Sequence, residues 1–173
     1  NCKQTNTAYG ILSRIGEKIL GEKENEIPIA GWRTEQIYKT VRKRIDNREI
    51  NVIIVLDEVD TLVEKSGSDI LYHLTGMNVD LVNSKISLIG ISNNVGFTKN
   101  IDPRVKSRLG EESMTFSPYN ASQLVDILHQ RATEAFNEGI VENSVIGLCA
   151  ARAAQEHGDA RQALDLLRIA VDI

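Results

Sequence analysis

The segment NVIIVLDEVD, residues 51–60, limits the possible folds more than any other part of this chain. Residues 52–56 are uniformly apolar, which is typical of a central strand in a parallel sheet that is covered on both faces. The run ends in Asp57 and Glu58, and Asp60 follows two residues later. Ligands of open parallel sheets bind beyond the carboxyl ends of the strands, where carboxylates can hold Mg²⁺ against phosphates and orient an attacking water. The segment therefore predicts a nucleotide site, and a strand that merely ends in a solvated acidic turn is the alternative.

A second apolar run, residues 86–91, predicts a neighbouring strand that ends in Ser92, Asn93 and Asn94. An amide at that point could hydrogen-bond a γ-phosphate or the attacking water. Asn also favours turns for purely local reasons, so this signal is weak alone. It gains weight because an apolar strand followed by Asp-Glu, the Walker B pattern, precedes it in the chain.

Helical periodicity and capping residues predict the remaining elements. The expected helices are Thr7 to Leu20, Thr34 to about Asp46, Ser68 to Leu74, one from Pro103, one from Asn120 with Gln123 in a capping box, one from about Asn143 to His157, and one from Asp159 onward. Residues 1–3 are interpreted as the end of a strand, and Met114 to Phe116 as a third strand.

Alternating strands and helices precede residue 118, and only helices follow it. This order predicts an α/β fold in which a parallel sheet with flanking helices, residues 1–118, is followed by a small all-α bundle, residues 119–173. The boundary is expected between Ser117 and Asn120, beside Pro118.

Two predicted helices carry arginines that are candidates for phosphate contacts. Pro103 can begin a helix that carries Arg104, Lys106 and Arg108. An arginine near a nucleotide can neutralise charge that develops during phosphoryl transfer, also from a neighbouring subunit. Arg161 falls in the first turn of the last helix, where a cation is unfavourable for the helix dipole, so a contact with an anion would explain it. Exposed arginines without such a task are the alternative.

Composition excludes several classes of protein. A net charge of -4 provides no global basic field for nucleic acid, so any such contact must come from a local patch. The aromatic content of 5% argues against a platform for stacking single-stranded bases. No apolar segment is long enough to span a membrane. Cys2 and Cys149 lie far apart, without metal-ligand spacing, and favour a reduced, cytoplasmic compartment.

The segments VIIVLDEVD, LIGISNN, DPRVKSRLGEE and GDARQALDLLRIA, in this order, resemble AAA+ ATPases. Their sequences are similar to those of the archaeal replication-initiator family, which is related to the origin recognition complex and the cell-division-control loader. The resemblance covers nearly the whole chain and implies a partial AAA+ core over residues 1–118 and a helical lid over residues 119–173. It implies ATP or ADP with Mg²⁺ as cofactors, with Asp57 on Mg²⁺ and Glu58 activating water.

The resemblance assigns three further residues. Asn93 would be sensor 1, Arg108 would be the arginine finger that acts on a neighbour's nucleotide, and Arg161 would be sensor 2, reaching the phosphates from the lid. The implied partners are double-stranded origin DNA, neighbouring AAA+ subunits and the replicative helicase, in the nucleoid of an archaeal cell.

The resemblance also places an initiator-specific helical insertion, which would approach the DNA backbone, within Thr5 to Arg33. The following stretch, Arg33 to Arg48, is more basic and can neutralise phosphates, although an exposed helix end explains it equally well. Its clustered cations are Lys39, Arg42, Lys43 and Arg44.

The chain contains no match to G-x-x-x-x-G-K-[ST], the loop whose backbone amides cradle phosphates. Gly10, Gly16 and Lys18 are spaced one residue too widely and lie in a helical pattern. The family's P-loop would precede Asn1 and its winged-helix domain would follow Ile173, in a longer protein called the predicted parent protein below. We therefore expect the 173-residue chain to bind ATP weakly, which calorimetry showing tight binding would contradict, and its sheet to leave an exposed edge.

Two other readings remain open at this point. A clamp-loader subunit or another AAA+ NTPase shares the Walker B acids and the arginine finger. A non-enzymatic AAA+-like interaction module would lack the P-loop by nature. The sequence upstream of Asn1 and the domain downstream of Ile173 discriminate among these possibilities.

Overall fold

The structure, a computed structural model, describes residues 1–20, 31–99, 101–109, 112–137 and 139–172. Within these residues the two apolar runs form a two-stranded parallel sheet, β1 (Asn51–Asp57) and β2 (Lys85–Ile91). The strands pair in register along their whole length, from Asn51 opposite Lys85 to Asp57 opposite Ile91. The predicted α/β fold with neighbouring parallel strands is confirmed.

Two other strand predictions are wrong. Residues 1–3 form a turn rather than a strand, and Cys2 N–H donates a backbone hydrogen bond of 2.8 Å to Asp57 O at the end of β1. Residues 114–116 form no strand. Met114 and Phe116 are 79% and 85% exposed, so these side chains bury no surface that would fix them in a sheet.

The expectation that β1 is covered on both faces is also wrong for this chain. Ile54 and Leu56 are buried, whereas Ile53 and Val55 are 67% and 53% exposed. Successive side chains of a strand point to opposite faces. Among the residues described, burial is therefore confined to one face of β1, and the other face presents aliphatic side chains to solvent.

The described residues of the first part of the chain include five α-helices. They are α1 (Ala8–Leu20), α2 (Thr34–Asn47), α3 (Val59–Ser66), α4 (Asp69–Asp80) and α5 (Pro103–Leu109). Helix α4 continues past the predicted end at Leu74, and α2 begins at the predicted N-cap residue Thr34 itself. Helix α3 was not predicted, although Val59, Leu62 and Val63 show helical spacing and the first two are buried.

The second part of the chain consists of α6 (Ala121–Ala135), α7 (Asn143–Glu156) and α8 (Ala160–Val171). The predicted caps are confirmed by hydrogen bonds. Asn120 Oδ1 accepts from Gln123 N–H at 2.9 Å, and Gln123 Oε1 accepts from Asn120 N–H at 3.1 Å, which is a capping box. Asp159 Oδ1 accepts from Arg161 N–H at 2.8 Å.

The chain divides into two compact units, Asn1–Ser113 and Met114–Ile173. Each unit has its own apolar core, one around Leu12, Ile37 and Leu74 and one around Leu124 and Leu128. This division falls slightly before the predicted boundary at 117–120, and the functional division at residue 118 stays a prediction. No helix in the described part of the chain is long and apolar enough to cross a membrane.

Candidate functional site

The acids of β1 and the polar end of β2 lie at the same end of the sheet. Asp57 pairs with Ile91, the last residue of β2, and Asn93 follows two residues later. Because the strands are parallel and in register, both side chains emerge where the strands end. Asn93 is exposed, and the turn around it is fixed by Ser92 Oγ, which accepts from Asn94 N–H at 2.9 Å.

The carboxylate of Asp57 is half-buried at this edge. Its Oδ2 accepts a hydrogen bond of 2.9 Å from Asn1 Nδ2. A half-buried carboxylate keeps an open side for a further ligand, and its two oxygens can accept more than one hydrogen bond or bind a cation. Asp57 is therefore placed to hold a hard cation at the end of β1.

Glu58 has the most unusual backbone at the site. Its φ and ψ of 56° and 46° lie in the left-handed region, and it is one of two non-glycine residues with positive φ among those described. This conformation ends β1 and begins α3 within a single residue. Such strain costs about 1–2 kcal/mol for a residue with a side chain, and it often occurs at functional sites.

The two carboxylate oxygens of Glu58 have different surroundings. Oε1 lies 2.5 Å from Lys3 Nζ, in an ion pair whose glutamate side chain is 20% exposed. Oε2 is buried and has no hydrogen-bond partner among the described residues, and the same holds for Asp60 Oδ1. A buried polar atom without a partner is costly, so these oxygens fit a further hydrogen-bond donor or a cation.

The ion pair sets the acidity of Glu58. The hydrogen bond from Lys3 holds the pKa of the Glu58 carboxyl below its ordinary value, and the Asn1 side chain lowers it further. Partial burial opposes this shift, and the charge of Asp60 opposes it more weakly. The same contact raises the pKa of Lys3. Glu58 is therefore a carboxylate at neutral pH, with Lys3 reducing its basicity.

The donor set suits Mg²⁺ shared with phosphates rather than a metal held by protein alone. No group of three or more His, Cys, Asp and Glu side chains in the described part of the chain could hold a metal ion. Mg²⁺ typically takes one or two carboxylates together with substrate phosphates and waters. Asp57 provides such a carboxylate, so the residues present fit this ion.

Arg108 lies in the last turn of α5, and Tyr72 of α4 is its principal contact. The Arg108 Cζ atom is 4.0 Å from the centroid of the Tyr72 ring, and Nη2 donates to Tyr72 Oη at 3.1 Å. The guanidinium itself is exposed at the surface of the first unit. It can therefore reach an anion outside this chain.

Arg161 belongs to the second unit. It is exposed in the first turn of α8, and only its backbone N–H takes part in the cap formed by Asp159. Its side chain is exposed to solvent, and the contact with an anion stays a prediction.

The basic face of α2 is partly neutralised within the chain. Lys39 pairs with Glu35 at 2.9 Å, and Arg42 pairs with Asp80 of α4. Exposed pairs of this kind are weak and screened by salt, so they can exchange for phosphates. The predicted insertion within Thr5 to Arg33 includes residues 21–30, which lie outside the described residues.

A groove of about 280 Å³ lies between α1 and β1 and reaches Asn1, the hydrogen-bond partner of Asp57. Its lining is mostly aliphatic and excludes Glu58, Asn93 and Arg108. The residues that line it are Asn1, Cys2, Thr5, Ile11, Arg14, Ile15, Lys18, Ile19 and 52–56.

Comparisons with known proteins agree with the order of these features. A sequence profile described as the Cdc6 AAA+ ATPase-type lid domain matches residues 125–173. All 173 residues align at 52% identity with the ORC1-type DNA replication proteins of Thermococcus onnurineus and Thermococcus kodakarensis. A solved structure of the Aeropyrum pernix ORC1 protein in complex with DNA matches with a TM-score of 0.85 and 44% identity, over 99% of this chain and 43% of that one. The chain belongs to the ORC1/Cdc6 family of AAA+ proteins.

The chain spans 42% of the length of the two curated ORC1-type relatives. A solved structure of Cdc6p from Pyrobaculum aerophilum matches with a TM-score of 0.80 at 21% identity, over 99% of this chain and 46% of that one. At that identity the match shows the shared fold alone. The ORC1/Cdc6 fold thus extends across both units of the chain.

Sequence reasoning missed three residues that contact the predicted ones. Asn1 and Lys3 reach Asp57 and Glu58 across 56 and 55 residues of sequence, a separation at which periodicity and spacing carry no information. Tyr72, the partner of Arg108, lies 36 residues before it. No role was predicted for Tyr72 from the sequence.

Proposed function

We propose that this chain is part of an archaeal replication initiator that binds and hydrolyses ATP. The observation that carries the proposal is the register of the sheet, which brings Asp57 and the Asn93 turn to the same strand ends. Ligands of such sheets bind at that edge. Membership of a family whose relatives are DNA replication proteins supports the biological role.

Asp57 would hold Mg²⁺ together with the β- and γ-phosphates of ATP. When bound, Mg²⁺ neutralises charge that develops on the transferred phosphoryl group. The orphaned oxygens of Glu58 and Asp60 support the presence of a cation or ordered water here. In the predicted parent protein, a P-loop would supply the remaining phosphate contacts.

Glu58 would orient the attacking water and accept its proton. A general base is most effective when it is free to accept a hydrogen bond from that water. The contact with Lys3 occupies one oxygen and lowers the basicity of the group, so this contact must loosen before the step. Asn93 would hydrogen-bond the γ-phosphate or the same water from the neighbouring strand.

Arg108 and Arg161 would contact phosphates from outside this pair of strands. Arg108, exposed on α5, would act on the nucleotide of a neighbouring AAA+ subunit. Arg161, exposed on α8, would reach the nucleotide from the lid, residues 119–173. Both roles use the fixed charge of a guanidinium, which is not lost by deprotonation.

The initiator would bind double-stranded origin DNA and recruit the replicative helicase in the nucleoid of the archaeal cytoplasm. The DNA-bound ORC1 structure of Aeropyrum pernix, at 44% identity, supports the DNA contact. The basic stretch Arg33 to Arg48, whose surface ion pairs are weak, would provide one phosphate contact surface.

The replacement Glu58→Gln in the predicted parent protein tests the enzymatic part of this proposal. The change removes the proton acceptor but keeps the size of the side chain. We expect single-turnover ATP hydrolysis to fall by about 10²–10⁴-fold, with ATP binding retained.

Glu64→Gln is the matched control, because Glu64 is an exposed acid of α3 away from the strand ends. The Glu64→Gln protein should hydrolyse ATP at the wild-type rate. Full hydrolysis by the Glu58→Gln protein would show that another residue activates water, and the assignment of Glu58 would be wrong.

A further inference from the structure

The contact between Arg108 and Tyr72 has a geometry that fixes the guanidinium in two ways. The Cζ atom stacks 4.0 Å from the ring centroid, and Nη2 donates to the phenol oxygen at 3.1 Å. The contact over the ring and the hydrogen bond to the phenol together restrain the guanidinium at two points. An exposed arginine without such contacts samples many rotamers.

The ring of Tyr72 is itself anchored. Tyr72 is half-buried on α4 and packs against the apolar core of the first unit, and α4 packs against α5. A ring held by the core does not follow the arginine when the arginine moves. Tyr72 is therefore a fixed platform rather than a mobile partner.

Gly76, one helical turn after Tyr72, leaves space for the guanidinium. A Cβ atom built on Gly76 would lie 2.9 Å from Arg108 Nη1, closer than non-bonded atoms approach. Glycine in a helix interior is otherwise unfavourable relative to alanine. A side chain at this position would therefore displace the guanidinium from its contact with Tyr72.

Two arginines of α5 lie near the Tyr72 ring, but only one of them pairs with a carboxylate among the described residues. Arg104, 5.7 Å from the centroid, donates to Asp102, with Nη2 and Oδ2 2.8 Å apart, and this contact lowers the pKa of Asp102 to about 2. Arg108 has no carboxylate partner among the described residues. A neutral phenol orients a cation without neutralising it, so the charge of Arg108 stays available for another anion.

We propose that Tyr72, together with the space at Gly76, positions Arg108 for the phosphates of a nucleotide bound by a second subunit. This inference rests on the proposed function. Tyr72 and Gly76 are positioning residues in it, because neither contacts the nucleotide.

The first test is NMR spectroscopy of the 173-residue chain, without nucleotide. The Tyr72 ring should shift the side-chain signals of Arg108 upfield, through its ring current. Tyr72→Leu should abolish this shift, Gly76→Ala should change it, and Tyr72→Phe should retain it. Gly76→Ala should not lower the melting temperature, because alanine is the better helix former. Identical Arg108 signals in the wild-type and Tyr72→Leu proteins would overturn the proposal.

The second test is ATP hydrolysis by the assembled predicted parent protein. Arg108→Ala should lower kcat by about 10³-fold or more, as loss of an arginine finger does. Tyr72→Leu and Gly76→Ala should lower kcat by about 10–100-fold with little change in KM, because the arginine is present but misplaced. Tyr72→Phe should lower kcat by no more than about fivefold, which corresponds to the loss of one hydrogen bond. Arg104→Gln, the control, should leave kcat unchanged.

The outcomes separate this inference from the function on which it rests. If Arg108→Ala inactivates the assembly and Tyr72→Leu and Gly76→Ala do not, the positioning role is wrong and the proposed function stands. If Arg108→Ala retains full activity in an enzyme that Glu58→Gln inactivates, the role of Arg108 is wrong, and the positioning role fails with it.

Discussion

At the scale of single residues, the backbone of Glu58 and its contact with Lys3 belong to the same feature. The left-handed conformation of Glu58 ends the strand and turns its side chain to where Lys3 meets it. The sequence predicted the acids and their end of the strand, because an apolar run followed by Asp-Glu is a local signal. It could not predict Lys3, whose contact depends on how distant segments pack.

Replacement of Lys3 by Met should raise the pKa of Glu58. The hydrogen bond from Lys3 is the largest cause of the lowered pKa, and methionine cannot donate. Because the folded-state pKa lies below the ordinary 4.5, the pairing stabilises the protein above that pH. The contribution is lost as the pH falls through the lowered folded-state pKa. Lys3→Met should therefore reduce the stability of the protein at neutral pH, but not at a pH below the lowered pKa of Glu58.

The measurement is the pH titration of the Glu58 carboxyl carbon by NMR in the 173-residue chain. Lys65→Met, which removes an exposed cation from the last turn of α3, is the control and should leave the Glu58 titration in place. An unchanged Glu58 pKa in Lys3→Met would show that the ion pair is not formed in solution.

At the scale of elements, the caps predicted at Asn120 and Asp159 were confirmed, and the apolar runs of β1 and β2 formed strands whereas residues 114–116 did not. The Asn120–Gln123 capping box and the Asp159 cap are local hydrogen bonds between neighbours in sequence, so their signals are complete within a few residues. Residues 114–116 have strand-like composition, but a strand needs a partner to accept its hydrogen bonds, and none of the described segments pairs with them. Helix α3 formed without having been predicted, because its apolar residues show helical spacing over too short a segment to indicate a helix.

Gly158, which ends α7, should not tolerate a side chain. Its φ is 64°, and an added Cβ would lie 2.5 Å from Tyr119 O and 2.8 Å from Pro118 Cβ. Backbone atoms cannot move aside as the end of a side chain can. Gly158→Ala should therefore destabilise the protein by at least about 2 kcal/mol, the sum of left-handed strain and steric overlap.

Gly147→Ala is the matched control for Gly158→Ala. Gly147 lies within α7, and an added Cβ would have nothing within 4 Å, so this change should stabilise the protein by about 0.5–1 kcal/mol. Both values come from urea unfolding monitored by circular dichroism. Equal stability of the Gly158→Ala and wild-type proteins would contradict the packing of the α7–α8 turn against residues 118–119.

At the scale of the whole molecule, the sequence predicted the fold class and the order of a sheet-containing part and a helical part. The alternation of apolar runs and helical patterns before residue 118, and the helical patterns alone after it, carried that prediction. The burial of β1 was predicted less well. The apolar character of Ile53 and Val55 indicates a covered strand, yet burial depends on what packs against that face, and these two side chains are exposed in this chain.

The central claim is that β1 and β2 bring Asp57, Glu58 and Asn93 to one nucleotide site. The most direct measurement is paramagnetic broadening of backbone amide signals in the predicted parent protein, with Mn²⁺ replacing Mg²⁺ and ATP in excess. We expect the amides of residues 57, 58 and 93 to broaden among the first, and Asp57→Asn to weaken this broadening markedly. Binding of Mn²⁺ and ATP without broadening of these three amide signals would contradict the claim.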